Sequence, residues 1–468
     1  MIQLFLKYNP VKLFLILLIL VAIRVFAYRM SIPITDPELT WLMVGERMGD
    51  GFTLYKQVWT DLEPFSAITY YLIDLIFGKS RLAYFVLSLL LVAIQAWTFN
   101  WGMNKNKVFK GFTALPALFY VLFSSLFFDF YSLSPVLLGL TFLLITFNMI
   151  CVQSRVMTGE DRFFYIGLLS GIASLFYLPF AFFLLFSLVS LGLYSVASLK
   201  KQMIMVLAFS FPYCIILIYY FWIDNLGNYY EYALSPVLNS APEFLIDLPT
   251  IIKILVLPLL LLLIAAATIV TRGRYIHYQY KIIKIAGLWL LTGVLSLLIE
   301  KSIAPYQFLI FALPLAFFTS HLFLVAASSK LFSEGLFLVM FGGIFLISFY
   351  ALKKPDVYTR THLIRYVPHE AEKLDIKNKK IIVLGNSKEY YINNSISAPY
   401  VNWKASQWQF ADLKKYENIS AIYEIFELGK PDYVIDQDQK MAALSQVIPA
   451  LKKQYVPIDS TNIYRRKI

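Results

Sequence analysis

Long apolar runs constrain this chain more than any other feature. Residues 13–27, 254–270 and 336–352 contain at most one charged residue each, and no water-facing surface can be built from them. Charged residues make up 15% of the chain and hydrophobic residues 59%, whereas soluble domains carry roughly 25% charged residues. The sequence therefore predicts an α-helical polytopic membrane protein.

Segments of about 20 apolar residues can cross a bilayer as helices, and about eleven such spans are predicted. They form a transmembrane domain of residues 1–352, and a more polar domain follows in residues 353–468. The predicted spans are residues 10–30, 81–102, 112–128, 135–153, 163–178, 180–198, 203–222, 251–271, 285–299, 306–326 and 333–352.

The basic residues indicate how these spans are oriented. Beyond the N-terminal cluster, basic clusters follow every second span, whereas residues 224–250 contain carboxylates and no Lys or Arg. Because cytoplasmic loops are enriched in Lys and Arg, we predict a cytoplasmic N-terminus. An odd number of spans then puts the C-terminal domain in the periplasm of an inner-membrane protein. Because the basic residues of the membrane domain sort into these loops, the net charge of +12 does not predict a nucleic-acid partner.

The loop of residues 31–79 is too polar to cross the membrane and too apolar to extend freely. Residues 39–43 and 65–77 predict two helices that lie in the membrane interface. Carboxylates are concentrated in the same loop, and two interpretations of Asp36-Pro37-Glu38 stay open. Asp36 is a suitable N-cap before a proline at the first helical position, and carboxylates beside a membrane also serve functional cavities.

Alternating strand and helix patterns predict a small α/β domain at the C-terminus. Strands are expected at residues 380–384, 433–435 and 462–466, and helices at residues 387–393, 419–428 and 439–453. Gly429-Lys430-Pro431 is typical of a helix end. No GxGxxG or P-loop pattern occurs, so no nucleotide site is predicted.

The loop carries an ordered series of short motifs: Asp36-Pro37-Glu38, Gly51, Tyr55, Glu63-Pro64, Tyr70-Tyr71, Gly78 and Arg81. This series resembles the first outer loop of the GT-C glycosyltransferases, especially the branch of protein mannosyltransferases and aminoarabinose transferases. A late helix with Tyr306 about two turns before Pro314 is also similar to that family. The resemblance implies many membrane helices followed by an outer α/β domain.

The resemblance also implies a reaction. A sugar on a polyprenyl phosphate would be transferred to an acceptor hydroxyl, with Asp36 as the base that takes the hydroxyl proton. The leaving phosphate needs positive charge. Arg24 is a weaker candidate for this charge, because it lies about 9 Å inside the helix end and its side chain is expected to snorkel to the membrane surface. The candidate catalytic residues are Asp36, Glu38, Asp61 and Glu63, and the candidate substrate-binding residues are Arg29, Tyr55, Arg81, Tyr230, Lys301 and Tyr306.

Departures from the family pattern keep a second function open. Pro37 separates the Asp-Glu pair, and Lys301 is the nearest basic residue to the late tyrosine. A non-catalytic relative would serve as a scaffold for cell-envelope proteins, whereas coupled transport is disfavoured because charges in the central spans are scarce. Besides membrane lipids, the expected partner is a lipid-linked sugar donor. The histidines lack metal-ligand spacing, so no cofactor is predicted and a divalent cation at the phosphate stays open.

Overall fold

The computed structural model describes most of the chain. The described residues are 2–155, 159–195, 197–235, 243–244, 246, 248–273, 275–300, 302–354, 376–401, 403–458 and 462–467.

The described residues are mainly α-helical, and the strands are short. The helices are α1 (Pro10–Arg29), α2 (Asp36–Gly49), α3 (Pro64–Phe77), α4 (Arg81–Lys105), α5 (Leu115–Phe123), α6 (Pro135–Arg155), α7 (Asp161–Phe176), α8 (Phe182–Tyr194), α9 (Leu199–Trp222), α10 (Leu226–Tyr229), α11 (Leu248–Arg272), α12 (His277–Leu298), α13 (Ala312–Ala326), α14 (Lys330–Lys353), α15 (Trp403–Ala411), α16 (Tyr416–Gly429), α17 (Met441–Val447) and α18 (Pro449–Gln454). The strands are β1 (Glu243–Phe244), β2 (Ser302–Ile303), β3 (Lys380–Leu384), β4 (Ser395–Ile396), β5 (Tyr433–Asp436), β6 (Tyr455–Pro457) and β7 (Ile463–Arg466).

Eight helices within the described residues are long and apolar enough to cross a membrane, and the chain is a multi-pass membrane protein. The count of eleven spans is not confirmed. The spans predicted at residues 112–128, 163–178 and 180–198 fall on α5, α7 and the segment Leu178–Tyr194, all of which are shorter. All nine residues of α5 are buried inside the protein, so its apolar character reflects protein contacts rather than lipid contacts.

The chain divides into two compact units. The helical unit comprises Met1–Pro33, Leu82–Trp222 and Asn239–His362, and the α/β unit comprises Ile34–Arg81, Ile223–Leu238 and Leu363–Ile468. The loop after α1 therefore belongs to the same compact unit as the C-terminal segment.

Aromatic rings and small residues build the core of the helical unit. The buried Trp289 on α12 is surrounded by the rings of Phe147, Phe183 and Phe186, and its indole nitrogen donates a hydrogen bond to Ile310 O at 2.9 Å. Gly167 on α7 lies against the backbone of α9, where a larger side chain would collide with the carbonyl oxygen of Met205. Such small residues let membrane helices approach closely.

Arg24 does not snorkel, contrary to the expectation from sequence. It is fully buried in the helical unit, its guanidinium lies 4.2 Å from the centre of the Tyr131 ring, and Nη2 donates to Phe130 O at 3.3 Å. Hydropathy gives the depth of a residue along a helix but not the face on which it lies. Arg24 is on the buried face of α1, where one guanidinium nitrogen has a carbonyl partner and the group lies against an aromatic ring.

The α/β unit contains a five-stranded sheet with the order β4-β3-β5-β7-β6. Strand β3 pairs in parallel with β4 and β5, and β7 pairs antiparallel with β5 and β6. The predicted strand at residues 380–384 coincides with β3. The helix predicted at residues 439–453 is divided into α17 and α18, because Pro449 begins a new helix.

Two segments from earlier parts of the sequence are tied into the α/β unit by hydrogen bonds. Trp59 N donates to Pro399 O at 2.8 Å, and Asn225 Nδ2 donates to Leu54 O at 2.8 Å. Within the unit, α2 packs on α3, and a side chain at Gly45 would lie against the carbonyl oxygen of Tyr70. These contacts fix α2, which carries the candidate site.

Candidate active site

Helix α2 begins one residue earlier than a capping role for Asp36 requires. The N-cap is Thr35, Asp36 is the first helical residue, and no side chain caps the helix. The N-cap interpretation of Asp36 is therefore wrong, and its carboxylate has another partner. Negative charge is still favoured at this position, because the first turn of a helix carries the positive end of its dipole.

The partner of Asp36 is Lys388, which is 352 residues away in the sequence. Lys388 Nζ donates to Asp36 Oδ2 at 2.9 Å and to Thr40 Oγ1 at 3.0 Å. The Thr40 hydroxyl in turn donates to Asp36 O at 2.9 Å. The Asp36 side chain is 37% exposed and that of Lys388 is 14% exposed. One oxygen of the Asp36 carboxylate is thus held by the ammonium group of Lys388, while the Asp36 side chain remains accessible to solvent.

Glu38 lies two residues further along α2 and binds Arg81. Arg81 Nε lies 2.8 Å from Glu38 Oε1, and Nη2 lies 3.1 Å from Oε2. This is the two-pronged geometry in which arginine binds carboxylates and phosphates most strongly. The Glu38 side chain is only 7% exposed, so the arginine neutralises a carboxylate that is almost removed from solvent.

Glu63 and two tyrosines form a second group in the α/β unit. Glu63 precedes α3 as its N-cap residue. Burial, together with the negative charge of Glu63, raises the pKa of Tyr229 to about 12. Tyr55 packs its ring on Tyr229, with ring centres 5.5 Å apart, and its hydroxyl donates to Leu62 O at 2.6 Å.

Tyr55 is fully buried and has a left-handed backbone, with φ of 64°. A non-glycine residue rarely adopts this conformation and keeps it only where surrounding contacts enforce it. The contacts of Tyr55 hold the loop in place. Asp61, by contrast, is exposed, as is Tyr230.

The far end of α2 carries a different ion pair. Lys79 Nζ lies 2.9 Å from Glu46 Oε2 and donates to Tyr391 O and Asn394 O, both at 2.8 Å. Nearby, burial lowers the pKa of Arg47 to about 10, opposed by the negative charges of Asp50 and Glu46. Burial and the same two carboxylates raise the pKa of Asp74.

The remaining predicted residues lie in the helical unit. Arg29 ends α1 and is exposed, and Tyr306 is buried, with its amide donating to Asp129 Oδ2 at 3.0 Å. Lys301 lies outside the described residues. Of the predicted set, the structure brings Asp36, Glu38 and Arg81 together on and beside the first turns of α2.

Comparisons with known proteins show which solved structures resemble this chain. No protein-family model matches the chain, and no curated protein matches it. The solved structure of ArnT from Cupriavidus metallidurans, bound to undecaprenyl phosphate, matches with a TM-score of 0.60 at 10% identity, over 98% of this chain and 98% of that chain. The apo form of the oligosaccharyltransferase from Archaeoglobus fulgidus matches with a TM-score of 0.49 at 10% identity, over 96% of this chain and 73% of that chain.

The chain shares the fold of the ArnT structure. The likeness to ArnT extends over almost all of both chains, so it includes the described membrane helices and the C-terminal sheet. At 10% identity it concerns the fold and not the activity. The GT-C resemblance seen in the loop sequence is confirmed at this level.

Sequence reasoning missed two charged residues of this chain. Lys388 follows the turn after β3 and gives no local signal, since its partner is in a distant segment. Asp129 lies in the aromatic run of residues 127–131 and is buried. A lone carboxylate in such a run could have been noticed, because buried charge requires partners.

Within the described residues, no group of three or more His, Cys, Asp or Glu side chains could hold a metal ion.

Proposed function

We propose that the protein is a membrane glycosyltransferase that transfers a sugar from a polyprenyl-phosphate donor to an acceptor hydroxyl on the extracytoplasmic face. One observation carries the proposal. At the start of α2, an accessible carboxylate, Asp36, is held by a cation at 2.9 Å, and a second cation, Arg81, lies on the same helix end through Glu38. The GT-C-like fold, shared with a protein bound to undecaprenyl phosphate, supports the same donor class.

In the proposed step, Asp36 takes the proton of the acceptor hydroxyl while the hydroxyl oxygen attacks the anomeric carbon. The bond between that carbon and the phosphate oxygen breaks, and its electron pair leaves with the polyprenyl phosphate. Phosphate is a stable anion, so the site needs positive charge more than an acid. Arg81 is the proposed source, because its guanidinium suits phosphate oxygens and its side chain is more than one-third exposed.

The helical unit offers surfaces of suitable chemistry for an isoprenoid tail. An apolar cavity of about 280 Å³ is lined by residues of α1, α5 and α14, including Phe26, Leu122 and Phe345. A second apolar cavity of about 230 Å³ is lined by α1, α4 and α5. Hydrocarbon chains bind such surfaces by contact area alone, without polar partners.

The proposed location is the inner membrane, with a cytoplasmic N-terminus, a transmembrane domain of residues 1–352 and a periplasmic domain of residues 353–468. The distribution of Lys and Arg supports this orientation. Labelling of a cysteine placed at the exposed Tyr416 in intact spheroplasts tests this orientation. An impermeant reagent reaches only the periplasmic side of intact spheroplasts, so the cysteine should be labelled.

The test is release of undecaprenyl phosphate from a panel of synthetic undecaprenyl-phosphate sugars, with a total cell-envelope extract added as the source of acceptor hydroxyls, measured by mass spectrometry on the full chain in nanodiscs. Asp36→Asn should slow release about 10²- to 10⁴-fold, the usual contribution of a general base. Glu46→Gln, at the other end of α2, is the matched control and should keep release near the wild-type rate per folded molecule. Equal release by Asp36→Asn and the wild type would contradict the role of Asp36, and no release from any donor would contradict the function.

A scaffold role is the second candidate, and one observation favours it. Asp36 and Glu38 are both bound to cations of the chain itself, an arrangement that also suits a structural anchor. Such a protein should co-purify with stoichiometric cell-envelope partners, and Asp36→Asn should retain them. A chain that always purifies alone argues against this role.

A further inference from the structure

Lys388 lies on a turn that is fixed from several sides. Before it, Ser387 N donates to Gln437 Oε1 at 3.2 Å, and Gln437 N donates to Leu384 O at 3.1 Å. After it, the buried Tyr391 hydroxyl accepts a hydrogen bond from Val383 N at 3.0 Å. The turn is thereby tied to β3 and to the end of β5, so the backbone that carries Lys388 is held by the sheet.

The ammonium group of Lys388 is equally constrained. An ammonium group removed from water is costly unless it is paired, and this one has a carboxylate and a hydroxyl within 3.0 Å. Both acceptors are on α2, one helical turn apart. Lys388 consequently fixes one oxygen of Asp36 and leaves the other for a different partner.

We propose that Lys388 is a positioning residue for the Asp36 carboxylate, so that the C-terminal sheet completes the site on α2. This inference rests on the proposed function. Lys388 touches no reacting atom in the transfer step and acts only through Asp36, by keeping the free oxygen directed at the acceptor hydroxyl. A displacement of about 1 Å in such a group can slow a reaction roughly 10²-fold.

Lys79 provides a matched control within the same unit. It too is a largely buried lysine that lies 2.9 Å from a carboxylate of α2, and it also binds two carbonyl groups of the C-terminal segment. Lys79 therefore ties the same parts of the chain together without touching Asp36. A loss of activity caused by loosened packing would appear in both lysine variants, whereas a loss of positioning would appear only at Lys388.

The experiment measures undecaprenyl phosphate release by the full chain in nanodiscs, as kcat and KM for an undecaprenyl-phosphate sugar. Lys388→Met should lower kcat roughly 10- to 100-fold and change KM less than about 3-fold, since the donor does not bind Asp36. Lys388→Arg, which keeps a cation and a donor, should restore most of kcat. Lys79→Met should keep kcat within about 2-fold per folded molecule. In the Asp36→Asn background, Lys388→Met should cause no further loss, because residues that act as a unit are not additive.

Wild-type kcat in Lys388→Met, with Asp36→Asn inactive, would overturn the positioning role and leave the proposed function intact. An equal loss in Lys79→Met, or a Lys388→Arg variant as slow as Lys388→Met, would also overturn it. Absence of release by the wild type would remove both proposals together. If Lys388→Met does not fold, Lys388→Gln, which removes the charge and keeps a polar side chain, is measured with the same expected loss.

Discussion

The two ends of α2 carry lysine–carboxylate pairs with the same nitrogen–oxygen distance, but the two carboxylates differ in their exposure to solvent. Asp36 and Lys388 are 2.9 Å apart at the start of the helix, and Glu46 and Lys79 are 2.9 Å apart near its end. Asp36 is 37% exposed, whereas Glu46 is 12% exposed. Lys388 binds two side chains of α2, whereas Lys79 also binds two backbone carbonyl groups.

This difference shows that pair distance alone does not identify a function. A lysine that binds a carboxylate and two carbonyl groups has used its donors inside the protein, and its removal leaves buried acceptors unpaired. A lysine that holds an accessible carboxylate adds little to stability, because water competes for the exposed partner. This difference supports the proposal of a chemical role for the start of α2, and we propose a structural role for its far end.

The largest expected effect on stability distinguishes the two lysines. Lys79→Met should lower the free energy of unfolding of the α/β unit by about 2–4 kcal/mol, because two carbonyl groups and Glu46 lose their partner and each unpaired buried group costs roughly 1–3 kcal/mol. Lys388→Met should cost about 1 kcal/mol or less. Thermal unfolding of the purified full chain in detergent, followed by tryptophan fluorescence, provides the measurement. Equal losses in the free energy of unfolding would mean that the two ion pairs contribute equally to stability.

A smaller effect is expected from the second carboxylate at the start of α2. Glu38→Gln replaces a two-pronged ion pair with a neutral contact to Arg81 and should lower the free energy of unfolding by about 1–2 kcal/mol. The conservative variant Glu38→Asp keeps the charge and should recover part of this loss. If Glu38→Gln unfolds at the wild-type temperature, the pair between Glu38 and Arg81 does not stabilise the fold.

Much of the fold could be predicted from sequence, because the signals are local. The predicted strand at residues 380–384 was found as β3, and the helix end at Gly429-Lys430-Pro431 is where α16 stops, with Lys430 in a left-handed conformation. The span count was not confirmed, because hydropathy does not distinguish a helix buried among other helices, such as α5, from one that faces lipid.

The candidate site could be predicted only in part. Asp36, Glu38 and Arg81 stand in one loop, so motif order was enough to propose them together. Lys388 could not be found in this way, since its contact with Asp36 exists only after β3 and its turn are placed beside α2. The burial of Tyr55 was also hidden, because an aromatic residue in a loop can equally face a substrate or fill a core.

The smallest expected effect concerns pH and the acidic residues at the far end of α2. Burial, then the charges of Glu46 and Asp50, raise the pKa of Asp74, and Lys79 opposes the shift. A carboxyl whose pKa is higher in the folded state loses stability as the pH rises from its unfolded pKa, about 3.9, through its folded value. At pH 7, well above the unfolded pKa, Asp74 therefore lowers the stability of the fold.

Asp74→Asn should consequently raise the unfolding temperature slightly at pH 7 and leave it unchanged near pH 3, where Asp74 is protonated in both states. The gain at pH 7 should be larger in the Lys79→Met background, since Lys79, whose positive charge offsets that of Asp74, is then gone. Asp224→Asn, at an exposed aspartate of the same unit, controls for the general loss of a carboxylate. A gain at pH 3 equal to that at pH 7 would mean that the asparagine improves packing, and the acidic character of this end of α2 would then have no part in its stability.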